Sequence, residues 1–259
     1  MREAAIFVQM NNEDKFFPLW LQHYEKTFDN SDIYVLDHNS DGEFRANLIK
    51  QSLEGRFNLL NLHNDKWFDH SWMRDNYIAF QKFLLQSYRV VVATEIDEFI
   101  FTDPTSKYPT LKEYIKNFEE ETVLCLGVEL LSDPLKDQTI DINKKILHQR
   151  DKCKISPWYH KPAISTIPLK YIKGQHSAEN ISANTRQDKD LYLFHLHYID
   201  YMWTFEKDQK RQLKDWSSYD LNINHGAQNK PKTIEETKDL FIKAFEGAID
   251  VPPRLKDCL

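Results

Sequence analysis

The chain has 259 residues, 34 basic against 40 acidic for a net charge of −6, and is 41% hydrophobic and 29% charged. That is the usage of a folded globular protein, and the acidic balance offers no general attraction to a phosphate backbone, which argues against nucleic acid as a partner. No apolar run approaches the roughly 18 residues that span a bilayer, and Ala4 to Met10 is too short for a signal-peptide core. The expectation is a cytoplasmic protein without a transmembrane segment, peripheral to a membrane at most. Cys125, Cys153 and Cys258 are widely spaced and odd in number, which argues against a disulfide framework or a structural zinc site.

In chain order, AAIFVQM (Ala4 to Met10) predicts a buried strand, and Phe17, Trp20, Leu21 and Tyr24 recur at helical spacing after it. A second strand, Ile33 to Leu36, runs into the turn-forming cluster DHNSDG, and Phe57 to Leu62 predicts a third. Between Ser71 and Tyr88, apolar positions recur every three or four residues, so a helix of about four turns delivers the chain to the strand RVVVATEID, within the stretch RVVVATEIDEFIF. Thr110 with Glu113, and Thr233 with Glu236, are capping-box patterns that start two later helices, with the strand TVLCLGVELL between them. Residues 132 to 190 show little periodicity and predict loops and short strands covering the sheet edge. The alternation predicts an α/β fold, a mainly parallel central sheet flanked by helices, with ligands at the carboxyl ends of its strands. With no repeat or linker, residues 1–259 read as one domain, 1–103 forming the nucleotide-binding half and 104–259 the acceptor-binding half.

Three carboxylates end the fourth strand. In an extended strand Glu95 and Asp97 share a face and Glu98 points the other way. Converging carboxylates repel unless a cation lies between them, and oxygen ligands suit Mg²⁺ or Mn²⁺; the alternative is pairing with lysine or arginine. In LYLFHLHYID, His195 and His197 share a face, and imidazole added to carboxylates favours Mn²⁺. Asp37 and Asn39 end the second strand, where a base and ribose are expected. Arg74 and Asn76 lie in the first turns of a helix, where an anion is favoured. Trp158, Tyr159 and His160 offer aromatic faces to an acceptor sugar. P-loop, dinucleotide, zincin and α/β-hydrolase motifs are absent.

Four segments, WLQHYEKTF after the first strand, DHNSDG, MRDNYIAFQKFLLQSYRVVVATEIDEFI and LHYIDYMWTFEKDQ, together resemble a GT-A-fold glycosyltransferase. The likeness is closest to the family-2-like group with a D-x-D-E-F motif, and to the related glycosyltransferase family 92. It covers about residues 4 to 103 and 191 to 211, and Glu95 stands where the group has its first aspartate. The resemblance implies a metal-dependent, inverting transfer from a UDP- or GDP-sugar to a glycan or other hydroxyl acceptor. It implies Mn²⁺ or Mg²⁺ held by Glu95, Asp97 and His197, a nucleotide read by Asp37, Asn39, Arg74 and Asn76, and an acceptor held by Trp158 and Tyr159. Lys207 matches a lysine downstream of the histidine–tyrosine pair. For the base, Glu179, Glu129, Asp133 and Asp200 are candidates; the spacing of such enzymes selects Glu179. The alternatives are a non-catalytic glycan- or partner-binding domain of the same fold, and a metal-dependent nucleotidyl or phosphoryl transferase.

Overall fold

The computed structural model describes residues 1–66, 68–172, 175–212, 215–222 and 232–259. The first half alternates as the periodicity predicts, with α2 as an added helix: β1 (Arg2–Met10), α1 (Phe16–Tyr24), β2 (Ile33–His38), α2 (Gly42–Leu53), β3 (Asn58–Leu62), α3 (His70–Leu84) and β4 (Tyr88–Thr94). These strands pair in parallel in the order β3-β2-β1-β4, with Ile6 opposite Ile33 on one side and opposite Val92 on the other. The chain thus winds outward from β1 to β3 and then returns across β1 to lay down β4. Such a reversal leaves a crevice at the carboxyl ends of β1 and β4.

Residues 95 to 97 are not part of a continuous strand. The chain turns there, and β5 (Glu98–Thr102) leaves in a new direction to pair antiparallel with β11 (Gln187–Tyr198). Between them come α4 (Leu111–Lys116), β6 (Thr122–Leu131), α5 (Ile146–Gln149), β7 (Lys152–Ile155), β8 (Ile164–Ser165), β9 (Tyr171–Ile172) and β10 (Ser177–Ala178). Then follow α6 (Tyr201–Gln212), α7 (Ser218–Asn222), α8 (Ile234–Phe245) and β12 (Ile249–Asp250). The segment expected to cover the sheet edge instead enters the sheet: β8 lies between β4 and β6, antiparallel to both, and β7 extends it beyond β6. Two-residue strands have no periodicity to read, so their place is set by their neighbours. β9 and β10 form a separate hairpin-like pair.

One face of the sheet buries Ile6, Val8, Val35 and Val92 against Trp20, Phe17 and Tyr24 of α1; the other buries Ala5, Phe7 and Val91 against Tyr77 and Leu84 of α3. Burial on both faces explains the unbroken apolar runs of β1 and β4. Both capping boxes are formed, on Thr110 with Glu113 and on Thr233 with Glu236. Cys125 and Cys153 are buried free thiols, and Cys258 is a half-buried one. No helix among the described residues is long and apolar enough to cross a membrane.

Candidate active site at the open rim of the sheet

The turn after β4 sorts its three acids by side. Glu98, 1% exposed, turns inward; its carboxylate accepts from the Glu95 amide at 2.9 Å and so closes the turn. Glu95 goes with it, because the Lys161 ammonium lies 3.1 Å from Glu95 and 2.5 Å from Glu98. Lys161 is itself only 3% exposed. Burial alone would lower the lysine, but Glu95 and Glu98 reverse that and hold it charged, well above its ordinary range. Burial raises Glu98 against the pull of Lys161, whereas for Glu95 the lysine prevails and lowers it. The expected sharing of a face by Glu95 and Asp97 fails because the backbone there is a turn, not a strand.

Asp97 faces the other way. Its Oδ2 lies 3.7 Å from His195 Nε2 and 3.9 Å from Lys207 Nζ, and Lys207 also pairs with Glu13 at 2.9 Å. His195 comes from β11, which pairs with both β5 and β6; that register puts it opposite Glu98 and Glu129. Its Nδ1 donates to Glu129 at 2.6 Å. Burial would lower the imidazole, but Glu129 and then Asp97 outweigh it and raise it to about 9, so the ring is a cation at neutral pH. The Asp97 carboxylate thus lies between two cations at the rim.

Tyr159 covers His195, the rings stacked with centroids 4.0 Å apart and planes 20° from parallel. It can do so because Gly127 of β6 lies beneath it. A Cβ on Gly127 would come within 2.3 Å of the Tyr159 backbone, and the Gly127 amide donates to His160 Nδ1 at 2.9 Å. Trp158, 57% exposed, packs on His176, whose Nδ1 donates to the Trp158 carbonyl at 2.8 Å. Burial, then Lys161, lowers His176 to about 4, which keeps it neutral. His197 stacks parallel to His195 at 5.8 Å, as their shared face predicts.

The expected nucleotide-reading residues are engaged locally. Asp37 is fully buried, paired with Arg45 of α2 and accepting from the Ser40 amide at 3.1 Å, so it fixes the turn after β2. Asn39 takes a left-handed backbone (φ 56°), which asparagine tolerates, and donates to the Asn64 carbonyl at 2.5 Å. Arg74 pairs with its neighbour Asp75 at 2.9 Å, and Asn76 donates to the Trp72 carbonyl at 2.7 Å. The His38 and Trp72 rings, 4.6 Å apart, join the end of β2 to the start of α3, so Asn39 and Arg74 flank one contact. Glu179 is exposed on the turn after β10, its amide donating to the Lys170 carbonyl. Glu129, another candidate base, is the one brought to the rim.

Among the described residues, no three histidine, cysteine, aspartate or glutamate side chains converge as a metal-ligand set. Mg²⁺ and Mn²⁺ in phosphate-handling sites are commonly held by one or two carboxylates plus the substrate's own phosphates. Asp97 fits that kind of site; Glu95, engaged by Lys161, does not fit it in this arrangement. Lys161 carries no sequence signal of its own. The signal was in the acids, since a buried strand end with three carboxylates requires a compensating charge.

No protein-family model and no curated protein matches the chain. Among solved structures it overlays on a cytidylyltransferase from Leptospira borgpetersenii with a TM-score of 0.30 at 9% identity, covering 51% of this chain and 55% of that one. It overlays on S. aureus TarS with a TM-score of 0.43 at 12% identity, covering 95% of this chain and 44% of that one. The chain therefore spans about half the length of these two. With TarS 1-349 in complex with UDP-GlcNAc the TM-score is 0.40 at 12% identity, over 94% of this chain and 72% of that one. At this level of overlap the activity has to be argued from the chain's own residues.

Proposed function

We propose that the chain is a GT-A-type glycosyltransferase that moves a sugar from a UDP- or GDP-sugar to a hydroxyl of a glycan acceptor. The observation that carries this reading is Asp97, set in the turn after a central parallel strand, at a rim where His195 and Lys207 supply positive charge. When the bond between sugar and diphosphate breaks, negative charge gathers on the leaving diphosphate. Fixed cations and donors at that point lower the barrier. A divalent ion, Mn²⁺ or Mg²⁺, bound with the diphosphate would supply Lewis-acid stabilisation, with Asp97 its principal protein ligand and His197 a further one.

Asn39, Arg74 and Asn76, around the junction of β2 and α3, are assigned to the nucleotide, with Asp37 holding the turn that presents Asn39. Tyr159 keeps His195 from solvent on one side, and Trp158 beside it offers an exposed ring to the acceptor. An inverting transfer needs a base for the acceptor hydroxyl. Glu129 and Glu179 are the two candidates, the first placed by the rim and the second chosen by sequence spacing.

The test is a screen of UDP- and GDP-sugars, with and without Mn²⁺, for release of the nucleoside diphosphate. We expect release with at least one donor, reduced about a hundredfold in D97N with little change in melting temperature. Release of pyrophosphate in place of the nucleoside diphosphate would assign nucleotidyl transfer instead. Comparing E129Q with E179Q in the same assay then identifies the base: the correct variant loses about a hundredfold or more, and the other stays near wild type.

A further inference from the structure

A cleft of about 630 Å³ opens on the α1 side of the sheet, between the first turns of α1, the exposed face of α2 and α6. Of the residues given a role in the proposed transfer, Lys207 lines it. Its floor is aromatic: Phe16 meets Trp203 edge to face at 5.8 Å with Lys207 and Lys15 over their rings, and the half-buried Phe44, packed edge-on against Phe17 at 6.2 Å, is the more exposed ring. Its rim is amide and carboxylate, with Asn47 and Gln51 on α2 and Glu43 at that helix's start. Acidic side chains along the walls outnumber lysines by five to three, and two of the lysines are paired with wall acids, Lys207 with Glu13 and Lys210 with Asp14.

We propose that this cleft is a carbohydrate-binding site for a neutral, hydroxyl-rich oligosaccharide. The acidic excess repels a nucleoside diphosphate or an acidic polymer, and the charged and amide rim disfavours a purely apolar chain. Sugar hydroxyls donate to carboxylates and accept from amides, while the apolar face of a pyranose lies on an aromatic ring. The volume is that of a pocket for a ligand of several rings. Lys207 stands at the boundary, 2.9 Å from Glu13 in the cleft and 3.9 Å from Asp97 on the rim, so a glycan seated there reaches the candidate active site. The binding does not require that any sugar be transferred.

The probes are chitotriose, cellotriose, maltotriose and, as an acidic control, a hyaluronan tetrasaccharide, each followed by saturation-transfer NMR and calorimetric titration on the intact chain. A neutral trisaccharide is expected to bind in the millimolar range or tighter, with the acidic control weaker. N47W, which fills the cleft from an exposed position of α2, is expected to weaken that binding at least about tenfold without lowering the melting temperature; F44A should weaken it as well, with a lower melting temperature because Phe44 packs on Phe17 and the core. UDP binding should be unchanged in N47W, which separates the cleft from the transfer chemistry. Absence of binding across the neutral set, binding indifferent to N47W, or loss of UDP binding in N47W would each overturn the assignment.

Discussion

Two clusters of charge lie on opposite sides of one turn, and they differ in what surrounds them. Lys161 and Glu98 are closed in beneath the sheet's end with Glu95 partly exposed at their edge, while Asp97, His195 and Glu129 form a second, largely buried group that Lys207 and Glu13 join to the wall of the cleft. The inner cluster compensates itself and sets the direction of the turn. The outer one holds positive charge around the Asp97 carboxylate. Four residues of sequence, Glu95 to Glu98, thus serve two ends, and the turn of the backbone decides which residue serves which.

The largest effect expected from breaking this division is K161M. Removing the ammonium takes away the cation that lies against both Glu95 and the buried Glu98, and chemical denaturation should show a loss of about 3–5 kcal/mol. Restoring much of that loss in K161M/E98Q would confirm that the cost is the uncompensated carboxylate. If K161M melts like wild type, the inner cluster is not structural.

The same interior that keeps Lys161 charged keeps His23 neutral. Burial, opposed only in part by the hydrogen bond from Nε2 to the Ile100 carbonyl at 2.9 Å, lowers it to about 4. The unfolded chain therefore binds a proton that the folded one refuses, and stability falls as pH drops from about 6.5 toward 4, by up to roughly 3 kcal/mol from this group. H23Q, which can still donate to Ile100, should flatten that part of the stability profile. An unchanged profile would show that His23 does not carry the acid sensitivity.

A smaller effect is expected at the outer cluster from G127A. The added methyl meets the Tyr159 backbone at 2.3 Å, so the Pro157–Tyr159 turn must shift, at a cost of about 1–3 kcal/mol. Fluorescence of Trp158 and the pKa of His195 by NMR should move with it. Both unchanged would mean that Tyr159 is not held by Gly127.

The parallel half was readable because β1, β4, α1 and α3 are long enough for period to show, and because β1 and β4, buried on both faces, admit no charge. The return of the chain between Cys153 and Ser165 was not, since β7 and β8 are too short to carry a pattern and are ordered by pairing with β6 and β4. α2 was also missed: only Leu48 is buried on it, so its sequence shows no apolar stripe. At the site, the shared face of His195 and His197 followed from local spacing, whereas that of Glu95 and Asp97 did not, because the chain turns there. Lys161 and Glu129, which come to the turn from 66 and 32 positions away in the numbering, did not.

What the sequence determined on its own was the core of the sheet and the presence of an acidic strand end that needed positive charge, because hydrophobic period and the cost of burying carboxylates are local properties. What only the tertiary structure decided was where that charge comes from. A lysine in the loop just before β8 and a histidine in β11 are brought together by strands whose order is set by pairing, and no local pattern encodes which strand will lie beside which.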